Sequence, residues 1–86
     1  MAALFHKTFA KKYARLPRRL QIQTDARIAL FLKSPDYPQL HVHALKGDRS
    51  KQWSFNVTGD YRVVYEYLPD DTVRFLTIGT HSELFG

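Results

Sequence analysis

The sequence predicts an α+β fold: an N-terminal strand, a helical hairpin, then antiparallel strands forming a twisted sheet with the helices on one face. Two observations carry this. Residues 7–33 hold two runs of helical period with Pro17 between them, and residues 40–78 change to a period of two. Helices and strands are thereby segregated along the chain, so only the first strand is free to pair in parallel. The 86 residues suit one domain spanning 1–86.

Residues 2–6 alternate weakly and suit an edge strand. From Lys7 to Leu16 the residues are good helix formers, with Thr8 as a cap and Phe9, Tyr13 and Leu16 on one stripe. Pro17 breaks this run and opens a second helix, because proline is tolerated in a first turn. The second helix runs to Lys33 and shows two stripes, one of Ile22, Ala26, Ala29 and Leu30, the other of Leu20, Ile28 and Phe31. Such a helix is expected to pack between the first helix and a sheet. Ser34-Pro35-Asp36-Tyr37-Pro38 ends it, since residues before proline avoid the helical region.

A short strand follows at His41–Leu45 and stops at Lys46-Gly47. Residues 48–52 form a polar, basic loop. Trp53–Thr58 alternates cleanly, Gly59-Asp60 signals a hairpin, and Tyr61–Tyr67 is β-branched and aromatic. Pro69-Asp70-Asp71 is a turn, and Thr72–Ile78 is the last strand. A two-residue hairpin loop would set Val57 against Arg62. A three-residue loop sets Val57 against Tyr61 and gathers Trp53, Phe55, Val57, Tyr61, Val63 and Tyr65 on one face. Face consistency selects the second register. The other face then carries Ser54, Asn56, Arg62, Val64 and Glu66, and is expected to be open, with Arg62 projecting from it.

Composition narrows the function. The absence of cysteine excludes a disulfide framework, a thiolate metal site and a cysteine nucleophile. A net charge of +5 suggests a polyanionic partner, either nucleic acid or an acidic protein. No apolar run reaches membrane-span length and nothing reads as a signal peptide, so a cytoplasmic protein with no membrane partner is expected.

Transesterification of RNA needs a base for the 2′-hydroxyl, an acid for the leaving 5′-oxygen and positive charge on the phosphate. His43 and His81, with Asp60, Lys46, Arg49, Lys51 and Arg62, contain all three kinds of group. The histidines stand at strand ends, where solvated rings are also common. His41 and His43 share metal-compatible spacing, but no carboxylate or cysteine completes a set, so no metal site is expected. Arg62 either grips a phosphate or pairs with Glu66. The loop Arg49-Ser50-Lys51 either tracks a nucleic-acid backbone or is a solvated turn, and Trp53 beside it belongs to the core. Phe85 either stacks on a base or staples the tail to the domain.

His43-Ala-Leu45-Lys46-Gly47, Trp53-Ser54, Val57–Tyr65 and Ile78-Gly79-Thr80-His81-Ser82-Glu83-Leu84-Phe85, in this order and spacing, resemble the RelE/ParE superfamily of bacterial toxins. The likeness is strongest to its YafQ-like branch and covers nearly the whole chain. It implies a RelE-like fold and a toxin of a type II toxin–antitoxin system: a ribosome-dependent, metal-independent mRNA endoribonuclease, without a small-molecule cofactor, neutralised by a cognate antitoxin and acting on mRNA on the ribosome. It also implies that His43 and His81 transfer protons, Asp60 supports the site, Arg62 contacts the scissile phosphate and Phe85 places a base. The branch usually has histidine where this chain has Asn56 and arginine where it has Thr77. Asn56 donates a hydrogen bond but cannot shuttle a proton, and Thr77 carries no charge to the phosphate. The implied activity is therefore weak, or carried by His43, His81 and Arg62 alone. Two other readings stay open on the same fold: a ParE-like inhibitor of DNA gyrase, and an inactive RNA- or ribosome-binding member.

Overall fold

The computed structural model describes residues 1–86. The elements run β1 (Ala2–Phe5), α1 (Lys7–Ala14), α2 (Arg18–Lys33), β2 (His43–Ala44), β3 (Trp53–Asn56), β4 (Tyr61–Leu68), β5 (Thr72–Thr80) and α3 (His81–Phe85), with single 3₁₀ turns at Pro38–Leu40 and Gly47–Arg49. One five-stranded sheet has the order β1-β5-β4-β3-β2. β1 pairs in parallel with β5 and every other pair is antiparallel. This is the α+β architecture that the segregation of helices and strands predicts.

The core lies between the hairpin α1–α2 and one sheet face. Phe9, Ile28 and Phe31 from the helices meet Phe55, Val63, Tyr65, Val73, Phe75 and Ile78 from the strands. Phe31 stacks on Phe55 at 5.0 Å and meets Tyr65 edge-on at 4.6 Å. The three-residue hairpin register holds: Trp53 pairs with Tyr65, Phe55 with Val63, Asn56 with Arg62, and the Val57 N–H donates to the Tyr61 carbonyl.

Several local expectations change. The cap of α1 is His6, not Thr8: His6 Nδ1 accepts from the Thr8 N–H. Pro17 sits just before α2 in an extended conformation rather than inside its first turn. Of the stripe Ile22, Ala26, Ala29 and Leu30, the first three face solvent and only Leu30 packs against the core, so α2 is not sandwiched; its buried residues are Thr24, Ile28 and Phe31. The strand at 41–45 contracts to His43–Ala44, because His41 closes the preceding 3₁₀ turn in the left-handed region at φ 50°. β5 runs on to Thr80 instead of stopping at Ile78, and the tail is a helical turn. The second sheet face is not open at its centre, where Ser54 and Val64 are buried.

A bulge in β5 positions this second face. Val64 pairs with Thr77 but Tyr65 with Phe75, so Leu76 is an extra residue between them. Val73 and Phe75 point to the core, the alternation then skips one residue, and Ile78 returns to it. Leu76 and Thr77 are both left on the side of Arg62 and Val64.

Candidate active site

The site is built across four neighbouring strands, β2 to β5, and the C-terminal turn. Asn56, Arg62 and Gly79 form one cross-strand row. Arg62 is half-buried, and its Nη1 donates to the carbonyls of Thr58 and Tyr61, each at 3.2 Å. Glu66, the carboxylate that could have paired with it, is held instead by Arg74 across β4–β5. The guanidinium has five N–H donors, so two carbonyl contacts leave donors for a phosphate.

His43 enters from β2, opposite Ser54. Its Nδ1 lies 2.9 Å from the His41 carbonyl. A carbonyl only accepts, which assigns the proton of the neutral ring to Nδ1 and leaves the Nε2 lone pair available as a base.

The tail is fixed by local chemistry. Thr80 and Glu83 form a capping box: the Glu83 N–H donates to Thr80 Oγ1 at 3.2 Å, and the Thr80 N–H donates to Glu83 Oε1 at 2.7 Å. The His81 N–H donates to the Asp60 carbonyl at 3.0 Å, tying the turn to the β3–β4 loop. Leu84 is buried. Glycine at 79 lets the turn approach the strand closely, since a Cβ there would lie 3.1 Å from Glu83 Oε1 and 3.2 Å from Leu84 Cδ2, tighter than ordinary van der Waals contact. The His81 and Phe85 rings, one turn apart, lie 5.3 Å from each other, and the Arg49 guanidinium lies 5.5 Å from the Phe85 centroid.

These elements enclose a hollow of about 350 Å³ that brings together His43, Asn56, Arg62, His81 and Phe85. His41 and Leu45 complete its wall. Arg49 joins it only through Phe85. Thr77 lies in an adjoining hollow. Lys46, Lys51 and Asp60 are exposed and outside the lining; Asp60 reaches the site through its backbone carbonyl. No group of three or more His, Cys, Asp or Glu side chains is placed to hold a metal ion. The wall residues His41 and Leu45 escape sequence reasoning, because a strand over 41–45 hides the left-handed turn that brings them in.

The capping hydrogen bonds from Thr80 hold the Glu83 carboxyl below its ordinary value of 4.5. A depressed folded value means that the contribution to tail order is complete above 4.5 and is lost as pH falls through that lower value. The protection factors of the Thr80 and Glu83 amides, taken against their intrinsic exchange rates at each pH, are expected to fall over that acidic window. Glu83→Ala is expected to remove the dependence, and Glu83→Gln to retain most of the protection at all pH values, because glutamine also completes a capping box.

A family model described as "Bacterial toxin of type II toxin-antitoxin system, YafQ" matches residues 1–86. No curated protein sequence matches. Among solved structures, YafQ from E. coli strain BL21(DE3) superposes with a TM-score of 0.82 at 22% identity, covering 98% of this chain and 97% of that one. A YoeB/ParE toxin from Agrobacterium tumefaciens superposes at 0.79 with 20% identity, covering 94% and 99%. The E. coli DinJ-YafQ toxin-antitoxin complex gives 0.71 at 22% identity, covering 98% and 96%.

Proposed function

This chain belongs to the YafQ family of bacterial toxins of type II toxin–antitoxin systems, and from that premise we propose that it is a ribosome-dependent mRNA endoribonuclease working by general acid–base catalysis. The observation that carries the reading is the shared hollow: the imidazoles of His43 and His81 with that of His41 in the wall, an arginine without a carboxylate partner and an aromatic ring. The 2′-hydroxyl attacks the neighbouring phosphorus and gives its proton to His43 Nε2. The P–O5′ bond breaks, and protonated His81 supplies a proton to the departing 5′-oxygen. The products are a 2′,3′-cyclic phosphate and a 5′-hydroxyl. Arg62 meets the charge that grows on the phosphoryl oxygens, Asn56 donates a hydrogen bond, and Phe85 stacks on a base. Asp60 holds His81 in place through its carbonyl, while Lys46, Arg49, Lys51 and Thr77 contact the RNA further out.

Losing the second histidine at Asn56 and the arginine at Thr77 makes this a slow enzyme. It acts in the cytoplasm on mRNA held by the ribosome. Its partner is a cognate antitoxin, as DinJ is YafQ's in the E. coli complex. An apolar hollow of about 450 Å³ between α1 and α2, lined by Phe5, Phe9, Tyr13, Ile28 and Leu32, suits the apolar stripe of an antitoxin helix.

Purified protein added to a bacterial translation extract should cut mRNA inside the translated frame, leaving 5′-hydroxyl ends, and should not cut the same RNA without ribosomes. Primer extension reads the cuts. Intact mRNA at toxin concentrations equal to the ribosomes would overturn the reading, and loss of gyrase supercoiling under the same conditions would replace it with the inhibitor.

A further inference from the structure

One row along the same sheet face lies a second hollow, of about 280 Å³. Its floor is Val64, Leu76 and Thr77; His6 stands on one side, Arg49 and Gln52 on the other. The row Ser54–Val64–Thr77 is two residues from the row Asn56–Arg62–Gly79, whose Asn56 and Arg62 line the first hollow. Two residues of strand advance by about 6.7 Å, a length comparable to one nucleotide step of an extended single strand.

The chemistry fits a nucleotide better than an apolar ligand. The β5 bulge turns both Leu76 and Thr77 to this side, giving an apolar patch beside a hydroxyl. His6 Nδ1 accepts from the Thr8 N–H at 3.1 Å, so its Nε2 carries the proton of the neutral ring and remains a donor. The Gln52 backbone is held at both ends, its N–H donating to the Arg49 carbonyl at 2.8 Å and its carbonyl accepting from Leu45 at 2.9 Å. That leaves the Gln52 side-chain amide, a donor and acceptor, at the wall. Arg49 lines this hollow and also lies over Phe85 of the first, so one cation spans both. In the same row the Ser54 hydroxyl is fully buried and has no hydrogen-bond partner.

We propose that this hollow is a second nucleotide subsite, receiving a base of single-stranded RNA one step along from the bond cut in the first, with Arg49 on the phosphate between them. Polar edges of the base meet His6, Gln52 and Thr77, and Val64 and Leu76 meet its apolar surface. The identity of the ligand as RNA rests on the endoribonuclease reading, and the position of the subsite does not.

The test is a titration of isotope-labelled protein with a 2′-O-methylated trinucleotide, which cannot be cleaved, beside a mononucleotide 3′-phosphate. The trinucleotide should shift resonances of His6, Gln52 and Thr77 together with those of His81; the mononucleotide should shift those of His81 alone. Gln52→Ala and His6→Asn, the latter keeping a capping side chain, should each weaken the trinucleotide about tenfold and leave the mononucleotide unchanged. A trinucleotide that leaves His6 and Gln52 unmoved, or binds both variants as tightly as wild type, overturns the subsite. If that happens while wild type still cuts mRNA in the extract, the subsite alone is lost. If nothing cuts there and the trinucleotide still fills both hollows, the nuclease reading is lost and the binding site stands.

Discussion

Replacing His81 with alanine is expected to slow mRNA cleavage by about a hundredfold or more and to leave the fold intact. The His81 side chain is exposed, with its ring 5.3 Å from that of Phe85, while its tie to Asp60 is made by the backbone N–H and survives the substitution. The thermal midpoint should therefore barely move. His43→Ala should cost a comparable factor. Here the lost group is the base, and the hydrogen bond to the His41 carbonyl goes with it. The two losses should not multiply, since acid and base serve one displacement. Arg62→Ala should cost about 10²–10³, the usual loss when a donor aimed at developing charge is removed. Arg62→Lys should recover little, because a lysine cannot reproduce a guanidinium held by two carbonyls with donors to spare. Single-turnover cleavage on programmed ribosomes is the measurement. Wild-type rates in His43→Ala, His81→Ala and Arg62→Ala together would remove the acid–base mechanism.

The hairpin register was legible because Trp53, Phe55 and Val57 alternate with polar residues, and only one loop length keeps that face whole. Arg62 follows from it directly. The parallel pairing of β1 was legible from element order alone. What stayed hidden has physical causes. Strict alternation from Val73 and Phe75 would send Thr77 into the core and Ile78 to the site, and the bulge at Leu76 reverses both. A period-two reading cannot see one inserted residue. The inward side of α2 includes Thr24, fully buried with its hydroxyl donating to the Leu20 carbonyl at 2.7 Å. A polar residue at a core position blurred the stripe and let Ile22 pass for part of a second one.

The tail hid for the opposite reason. Thr80-His81-Ser82-Glu83 is a legible capping box, but five helical residues are too few for any periodicity to announce a helix. The resemblance to the YafQ-like branch marked His81 and Phe85 without saying what holds them. The structure supplies that: a glycine that lets the turn lie down, a cap that starts it and a buried leucine that anchors it.

Deleting Phe85 and Gly86 is expected to cut cleavage by roughly ten- to a hundredfold, the value of one base stacked on an aromatic ring, and to leave the domain folded. The anchor of the turn is Leu84, which stays, and the capping box stays with it. Phe85 is only half-buried, and its aromatic and cation–π partners are His81 and Arg49, neither of them a core residue. Leu84→Ala should do the reverse. It empties a buried position at a cost of about 2 kcal/mol or more, which in a domain of this size lowers the thermal midpoint by roughly 10 °C. Phe85→Leu separates the remaining possibilities, since leucine keeps apolar bulk against the turn and loses the flat face. Under the stacking role it should cleave almost as slowly as the deletion. If Phe85→Leu cleaves like wild type, or if the deletion unfolds the domain, Phe85 is a staple, and placing the base falls to another residue of the hollow.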